Sequence, residues 1–143
     1  MDTIIERVLF LQGIELFSEI PTEQLAYLAG ITEQYTVPKD QVLFTEGEPS
    51  QTLYVLVRGE IKLSRSGKPR KQITEPEAIG PWGFFDGNER LMSATCVQDS
   101  HFLTINRMEF FDLLEDRVHL SRGLLTYFVK RIRKLTELSD AIV

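Results

Sequence analysis

The spacing of apolar residues changes twice along the chain. Ile4, Ile5, Val8, Leu9 and Leu11 recur at roughly the helical period, and Thr3 and Glu6 stand at capping-box spacing, which predicts a helix over residues 3–11 that ends at Gly13. After Ile14-Glu15-Leu16-Phe17, Pro21 and Thr22 open a second helix with Leu25, Leu28 and Ile31 as its stripe and Gly30 near its end. Turn formers then bracket short apolar or alternating runs at Pro38-Lys39-Asp40, Gly47-Glu48-Pro49-Ser50, Ser66-Gly67-Lys68-Pro69, Glu75-Pro76 and Gly80-Pro81. Strands are predicted at 33–37, 41–45, 52–58, 60–65, 70–73, 93–98 and 101–105. Leu53, Val55 and Val57 fall on one side of their strand, and Ile61 and Leu63 on one side of the next, as a sheet with one buried face requires. Such spacing predicts a sandwich or a jelly-roll barrel. From Met108 the helical period returns, with Phe110, Phe111, Leu113 and Leu114 in one short helix and a longer helix from about Leu120 to Leu138. Val118, Leu125, Phe128, Ile132 and Leu135 follow a three–four spacing broken by Ser121, and Leu120, Leu124 and Leu138 widen the stripe, the pattern of a helix packed on two surfaces.

Composition narrows the function classes. A chain of 143 residues is large enough to bury roughly two thirds of its unfolded surface and is expected to form one domain over 1–143. With a net charge of -5 and a pI near 5.1 it repels phosphate backbones, so no nucleic-acid partner is expected. The single cysteine, Cys96, reads as a small apolar strand residue and fits a reducing, cytoplasmic compartment. No apolar run reaches the roughly 18 residues of a membrane span. His101 and His119 lack neighbouring ligands at metal spacing, and no nucleophile elbow, Walker loop or HExxH pattern occurs, so neither metal, cofactor nor catalysis is expected. Lys130, Arg131, Arg133 and Lys134 read as favourable charge near a helix C-terminus.

The run Phe44-Thr45-Glu46-Gly47-Glu48-Pro49-Ser50-Gln51-Thr52-Leu53-Tyr54-Val55-Leu56-Val57-Arg58-Gly59-Glu60-Ile61-Lys62-Leu63 resembles the signature hairpin of the cyclic nucleotide-binding domain family, whose members include catabolite activators and protein kinase A regulatory subunits. The resemblance implies a mainly β fold with flanking helices: a double-stranded β-helix (jelly-roll) barrel over 32–106, N-terminal helices over 1–31, C-terminal helices over 107–143, and a phosphate-cassette loop at 80–92. In that family a short helix receives the cyclic phosphate at its amides, a glutamate directly after a Phe-Gly pair accepts from the ribose 2′-hydroxyl, and an arginine just before a small Ser-Ala-Thr-like run binds the phosphate. Taking Trp82-Gly83 as the Phe-Gly pair and Ser93-Ala94-Thr95 as the small run puts Phe84 in place of the glutamate and Met92 in place of the arginine. The implied ligand-site residues are Gly80, Trp82, Gly83, Phe84, Phe85, Asp86, Met92, Ser93 and Ala94. Asp86-Gly87-Asn88 reads as a turn where the small helix should be.

Loss of both polar contacts is expected to cost about 4–6 kcal/mol, so tight cyclic nucleotide binding should be absent. Arg90, two residues before Met92, offers a rescue if the loop rearranges, although Asp86 and Glu89 would repel an anion there. The other outcomes are collapse of Trp82, Phe84, Phe85 and Met92 into the barrel mouth, or a remodelled pocket for an uncharged ligand. The expectation is therefore a non-catalytic regulatory module with a degenerate cassette. The alternatives are a genuine cyclic nucleotide sensor and a protein-interaction or dimerisation adaptor. In the resembled family the last helix forms a dimer seam, which here would comprise Leu125, Phe128, Ile132 and Leu135. The DNA-binding members carry a helix-turn-helix module after that helix, and the sequence to Val143 shows none.

Overall fold

The computed structural model describes residues 1–137. The chain divides into two compact units, residues 31–111 and residues 1–30 together with the chain from 112 onward. The first is built of strands β1 (Thr32–Val37), β2 (Val42–Phe44), β3 (Thr52–Arg58), β4 (Ile61–Arg65), β5 (Lys68–Ile73), β6 (Ala78–Ile79), β7 (Ser93–Cys96) and β8 (Ser100–Asn106), with one short helix, α3 (Trp82–Asp86), between β6 and β7. Helix α4 (Arg107–Asp116) follows directly on β8, its start capped by the Asn106 carboxamide oxygen, which accepts from the Glu109 N–H at 3.1 Å.

The strands form two four-stranded antiparallel sheets, in the orders β1-β8-β3-β6 and β2-β7-β4-β5. The first strand pairs with the last, the second with the seventh, the third with the sixth and the fourth with the fifth. That is one long antiparallel ribbon wound over on itself, the jelly-roll path. The expected closed barrel is instead a sandwich, because each sheet ends in free edges. Val37, Leu56, Ile79 and Phe102 of one sheet and Phe44, Ile61, Leu63, Ile73, Ala94 and Cys96 of the other fill the layer between them. The outer edge β5 carries Lys68, Pro69, Arg70 and Lys71 and an irregular register, devices that discourage further strand addition. It begins two residues earlier than expected because Ser66 and Gly67, with φ of 52° and 78°, make a two-residue hairpin turn. Strand β6 escapes the sequence pattern because it is two residues long.

The second unit is helical. Helix α1 (Ile4–Gln12) is capped by Thr3, whose hydroxyl accepts from the Glu6 N–H at 3.1 Å and donates to the Glu6 carboxylate at 3.0 Å. A 3-10 turn at Glu15–Phe17, unforeseen in the sequence, precedes α2 (Thr22–Ala29). The long helix α5 runs over Val118–Glu137, so the expected stripe member Leu138 lies outside the described residues. Gly123 brings its backbone close to the turn at residues 19–20, where a Cβ would sit 2.8 Å from the Glu19 carbonyl and the Ile20 side chain. Lys130 Nζ meets Glu19 at 2.7 Å and Arg131 meets Glu15 at 3.9 Å, so two members of the basic cluster are paired within the unit. No described helix is long and apolar enough to cross a membrane.

Candidate functional site

The segment between β6 and β7 is held by close packing and by its own hydrogen bonds. Strand β6 ends at Ile79, Gly80 turns the chain with φ of 55°, and α3 starts two residues later after Pro81. The helix closes at Gly87, whose N–H donates to the Gly83 carbonyl at 2.9 Å. The expected turn at Asp86-Gly87-Asn88 is therefore the end of a helix rather than a substitute for one. Asp86 stabilises that exit by accepting from the Asn88 N–H at 2.9 Å. Gly83 is fixed by space: a Cβ there would lie 2.5 Å from the Asn88 carbonyl and 2.9 Å from the Ser50 side chain.

Phe84 does not enter the layer between the sheets. It is fully buried in a cluster with Phe110, Phe85 and Phe111, at ring-centroid distances of 5.1, 5.3 and 6.4 Å. Its carbonyl accepts from Arg107 Nε at 2.8 Å, and the Arg107 guanidinium lies over the Phe111 ring. Trp82, expected to fold inward, is instead 48% exposed, because the first turn of so short a helix points its side chains in diverging directions. Met92 is half-buried against the sandwich core. Ser93 accepts from the Glu46 N–H at 2.9 Å, and Ala94 is buried between Phe44 and Leu63 on the neighbouring strands.

The side chain that dominates the electrostatics here is Arg90. It is only 5% exposed. Its backbone is locked by two bonds, N–H to the Glu48 carbonyl at 2.8 Å and carbonyl from the Gly47 N–H at 2.9 Å. Its guanidinium donates to the Gly80 carbonyl at 3.1 Å and to the Thr52 carbonyl at 2.6 Å, and stacks 3.9 Å over the Phe44 ring centroid with Tyr54 next at 5.8 Å. The Nε donor is buried with no partner, as is the hydroxyl of Ser50, which lies against Gly83. Among the described residues no carboxylate comes within ion-pair distance of Arg90. Burial pushes its pKa down, while Tyr54 and Glu48 pull it back up. Tyr54 is raised by burial and by Tyr35. The side chain expected to reach the site only after a loop rearrangement is thus buried as the chain stands. A signal for it was present: Arg90 is the one cation between Ile79 and Val97.

On α5 the two faces differ sharply. Leu120, Gly123 and Leu124 are buried, whereas Leu125 is 64% and Ile132 59% exposed, with Leu135, Val129 and Val118 exposed beside them and Phe128 half-buried. Four of these, Leu125, Phe128, Ile132 and Leu135, are the residues expected at a dimer seam.

Comparison with known proteins agrees with this architecture. The sequence model for "Cyclic nucleotide-binding domain" matches residues 34–117. The "CRP-like cAMP-activated global transcriptional regulator" of Mycobacterium tuberculosis is 27% identical over 99% of the chain, and the chain spans 63% of that relative's length. Among solved structures, the N-terminal domain of a transcriptional regulator from Streptomyces coelicolor A3(2) superposes with a TM-score of 0.82 at 27% identity, covering 94% of this chain and 97% of that one. The sensor domain of the transcriptional regulator DNR from Pseudomonas aeruginosa shares the fold, with a TM-score of 0.77 at 23% identity over 99% and 97% of the two chains.

Proposed function

The chain belongs to the cyclic nucleotide-binding domain family, and from that premise we propose that it is a non-catalytic, cytoplasmic sensor module that binds a phosphate-bearing small molecule at Arg90 and signals as a homodimer through α5. The observation that carries the reading is the buried guanidinium without an acidic partner. Burying a cation is costly unless something compensates it, and here the direct contacts are two neutral carbonyls and an aromatic face, with Tyr54 and Glu48 acting only from beyond ion-pair distance. An anion meeting Nε would complete it, and the Ser50 hydroxyl, on the neighbouring 47–52 segment beside Gly83, is a second buried polar group with no partner.

This reading shifts the register of the cassette. Because α3 begins at Trp82, the apolar–glycine pair that precedes the helix is Ile79-Gly80 rather than Trp82-Gly83. The carboxylate position then falls on Pro81, and Arg90, three residues before Ser93, takes the arginine's role in place of Met92. The degeneracy is thus one-sided: the phosphate contact is kept and the ribose contact is missing. Missing one charge-assisted hydrogen bond weakens a cyclic nucleotide by about 1.5–3 kcal/mol, or roughly one to two decades, instead of the larger loss expected when both are gone.

A second reading has its own support. The two carbonyl bonds and the Phe44 stack make Arg90 a pin that holds the 47–52 and 80–90 segments together, which suits an adaptor that needs no ligand. Two substitutions separate the readings. Pro81→Glu restores a carboxylate at the helix start and should tighten cyclic AMP roughly tenfold or more in calorimetric titration. Phe84→Glu places a charge in the phenylalanine cluster and should unfold the β unit without any gain. An unchanged cyclic AMP affinity in Pro81→Glu counts against both the register and the sensor.

A further inference from the structure

Away from Arg90, the β unit holds a cavity of about 390 Å³ between Thr36-Val37-Pro38 on one side and Arg58, Asp99, Ser100 and His101 on the other. Its geometry comes from an irregularity in the sheet. Phe102 on β8 pairs with Leu56 on β3, and a regular ladder would set Val57 opposite His101. The register shifts after Leu56, so Arg58 stands there instead. Bulges of this kind re-aim side chains, and they recur beside binding sites. His101 also pairs with Thr36 on β1, so Thr36, His101 and Arg58 form one cross-strand row on a single face.

The polar groups around this cavity are partly fixed within the protein and partly open to solvent, Arg58 and Asp99 both being exposed. Asp99 accepts from the Lys39 N–H at 2.8 Å, and the Ser100 hydroxyl donates to the Gln98 carbonyl at 2.9 Å. Neither Arg58 nor Asp99 has an ion-pair partner among the described residues, and they do not pair with each other. His101 is 9% exposed, and its Nδ1 is buried without a partner. Burial, and after it Arg58, lowers the His101 pKa, so the ring is neutral at physiological pH.

A wall with one unpaired cation and one unpaired anion is poorly matched to a simple anion, which would face Asp99, or to a simple cation, which would face Arg58. We propose that this cavity binds a small zwitterion of the α-amino acid type, with its carboxylate on Arg58, its ammonium group on Asp99 and the remaining hydrogen bond supplied by His101. Its volume lies within the range of small-molecule sites. The proposal does not depend on the reading of Arg90.

The test is a histidine side-chain NMR titration of the whole chain, with the two imidazoles assigned through a His119→Gln variant. Glycine, leucine, lysine and glutamate are titrated to roughly 10 mM, where even a Kd near 1 mM gives most sites filled. Acetate and methylamine serve as half-analogues. At least one amino acid should shift His101 saturably while neither half-analogue does. Arg58→Gln and Asp99→Asn should each weaken that binding about tenfold or more, and Asp99→Asn keeps an oxygen for the Lys39 N–H. Silence with every amino acid overturns the proposal. So does a response to acetate or methylamine alone, or one that survives both substitutions. The wild-type comparison with the half-analogues decides the matter even if a variant folds poorly.

Discussion

Replacing Phe84 with alanine would remove the most enclosed ring of the cassette segment. The side chain is fully buried and sits between 5.1 and 6.4 Å, centroid to centroid, from Phe110, Phe85 and Phe111. Truncating a buried phenylalanine costs about 3–5 kcal/mol when the site cannot collapse. Collapse is hindered here because α3 is tied down through its carbonyls by bonds that the substitution leaves intact, from the Arg107 Nε to the Phe84 carbonyl and from the Gly87 N–H to the Gly83 carbonyl. The lost ring contacts add about 0.5–1.5 kcal/mol per pair beyond simple burial, which argues for the upper half of that range. Urea denaturation followed by fluorescence suits the measurement, since Trp82 is the only tryptophan, lies two residues from Phe84 and reports on the β unit. Phe84→Leu, which keeps most of the volume, should cost no more than about 1.5 kcal/mol. A loss below roughly 1 kcal/mol for Phe84→Ala would place the side chain in the range of surface substitutions and refute the buried cluster.

Two further outcomes are expected. Leu125→Glu or Ile132→Glu should convert a dimer to a monomer by light scattering without lowering helix content, because both side chains are exposed in the single chain and a charge is costly only where a partner would desolvate it; a wild-type chain that is monomeric at high micromolar concentration removes the α5 seam. His101 has a folded pKa below its ordinary value of about 6.5, through burial and then Arg58, so the stability it contributes is complete above that pH and is lost as pH falls through the lowered folded value. His101→Gln should flatten that acid limb of a stability–pH curve, and an unchanged limb would assign it to other groups.

Part of the β sandwich was legible because alternation in Ile61-Lys62-Leu63 reports directly on a one-sided buried strand, whereas β3 buries both faces, with Leu56 in the layer between the sheets and Leu53 and Val55 on its other side. The start of α1 was equally legible, since a capping box is local chemistry. What local pattern leaves open is register within the cassette. Trp82-Gly83 looks like an aromatic–glycine pair, but which glycine precedes the helix depends on where β6 ends, and a strand of two residues leaves no periodic trace. The same blind spot made a helix of five residues read as a turn. In sequence Arg90 reads as a poor anion ligand because Asp86 and Glu89 flank it, yet those side chains are exposed while Arg90 is drawn inward by the Gly80 and Thr52 carbonyls, contacts that depend on residues 10 and 38 positions away. The bulge that brings Arg58 opposite His101 likewise belongs to strand pairing rather than to local pattern.

Whether Arg90 is an anion ligand held ready in the β unit is decided by calorimetric titration of cyclic AMP into the wild-type chain and into Arg90→Met. Methionine fills much of the same space without charge, so a fold check by Trp82 fluorescence accompanies the titration. Saturable binding to the wild-type chain is expected, with a loss of roughly 10–150-fold in Arg90→Met, the equivalent of about 1.5–3 kcal/mol for a charge-assisted hydrogen bond. Equal affinity in the two folded proteins, or no binding to the wild-type chain at roughly 10 mM ligand, where a Kd of about 1 mM would be plain, would contradict it and leave Arg90 as a structural pin.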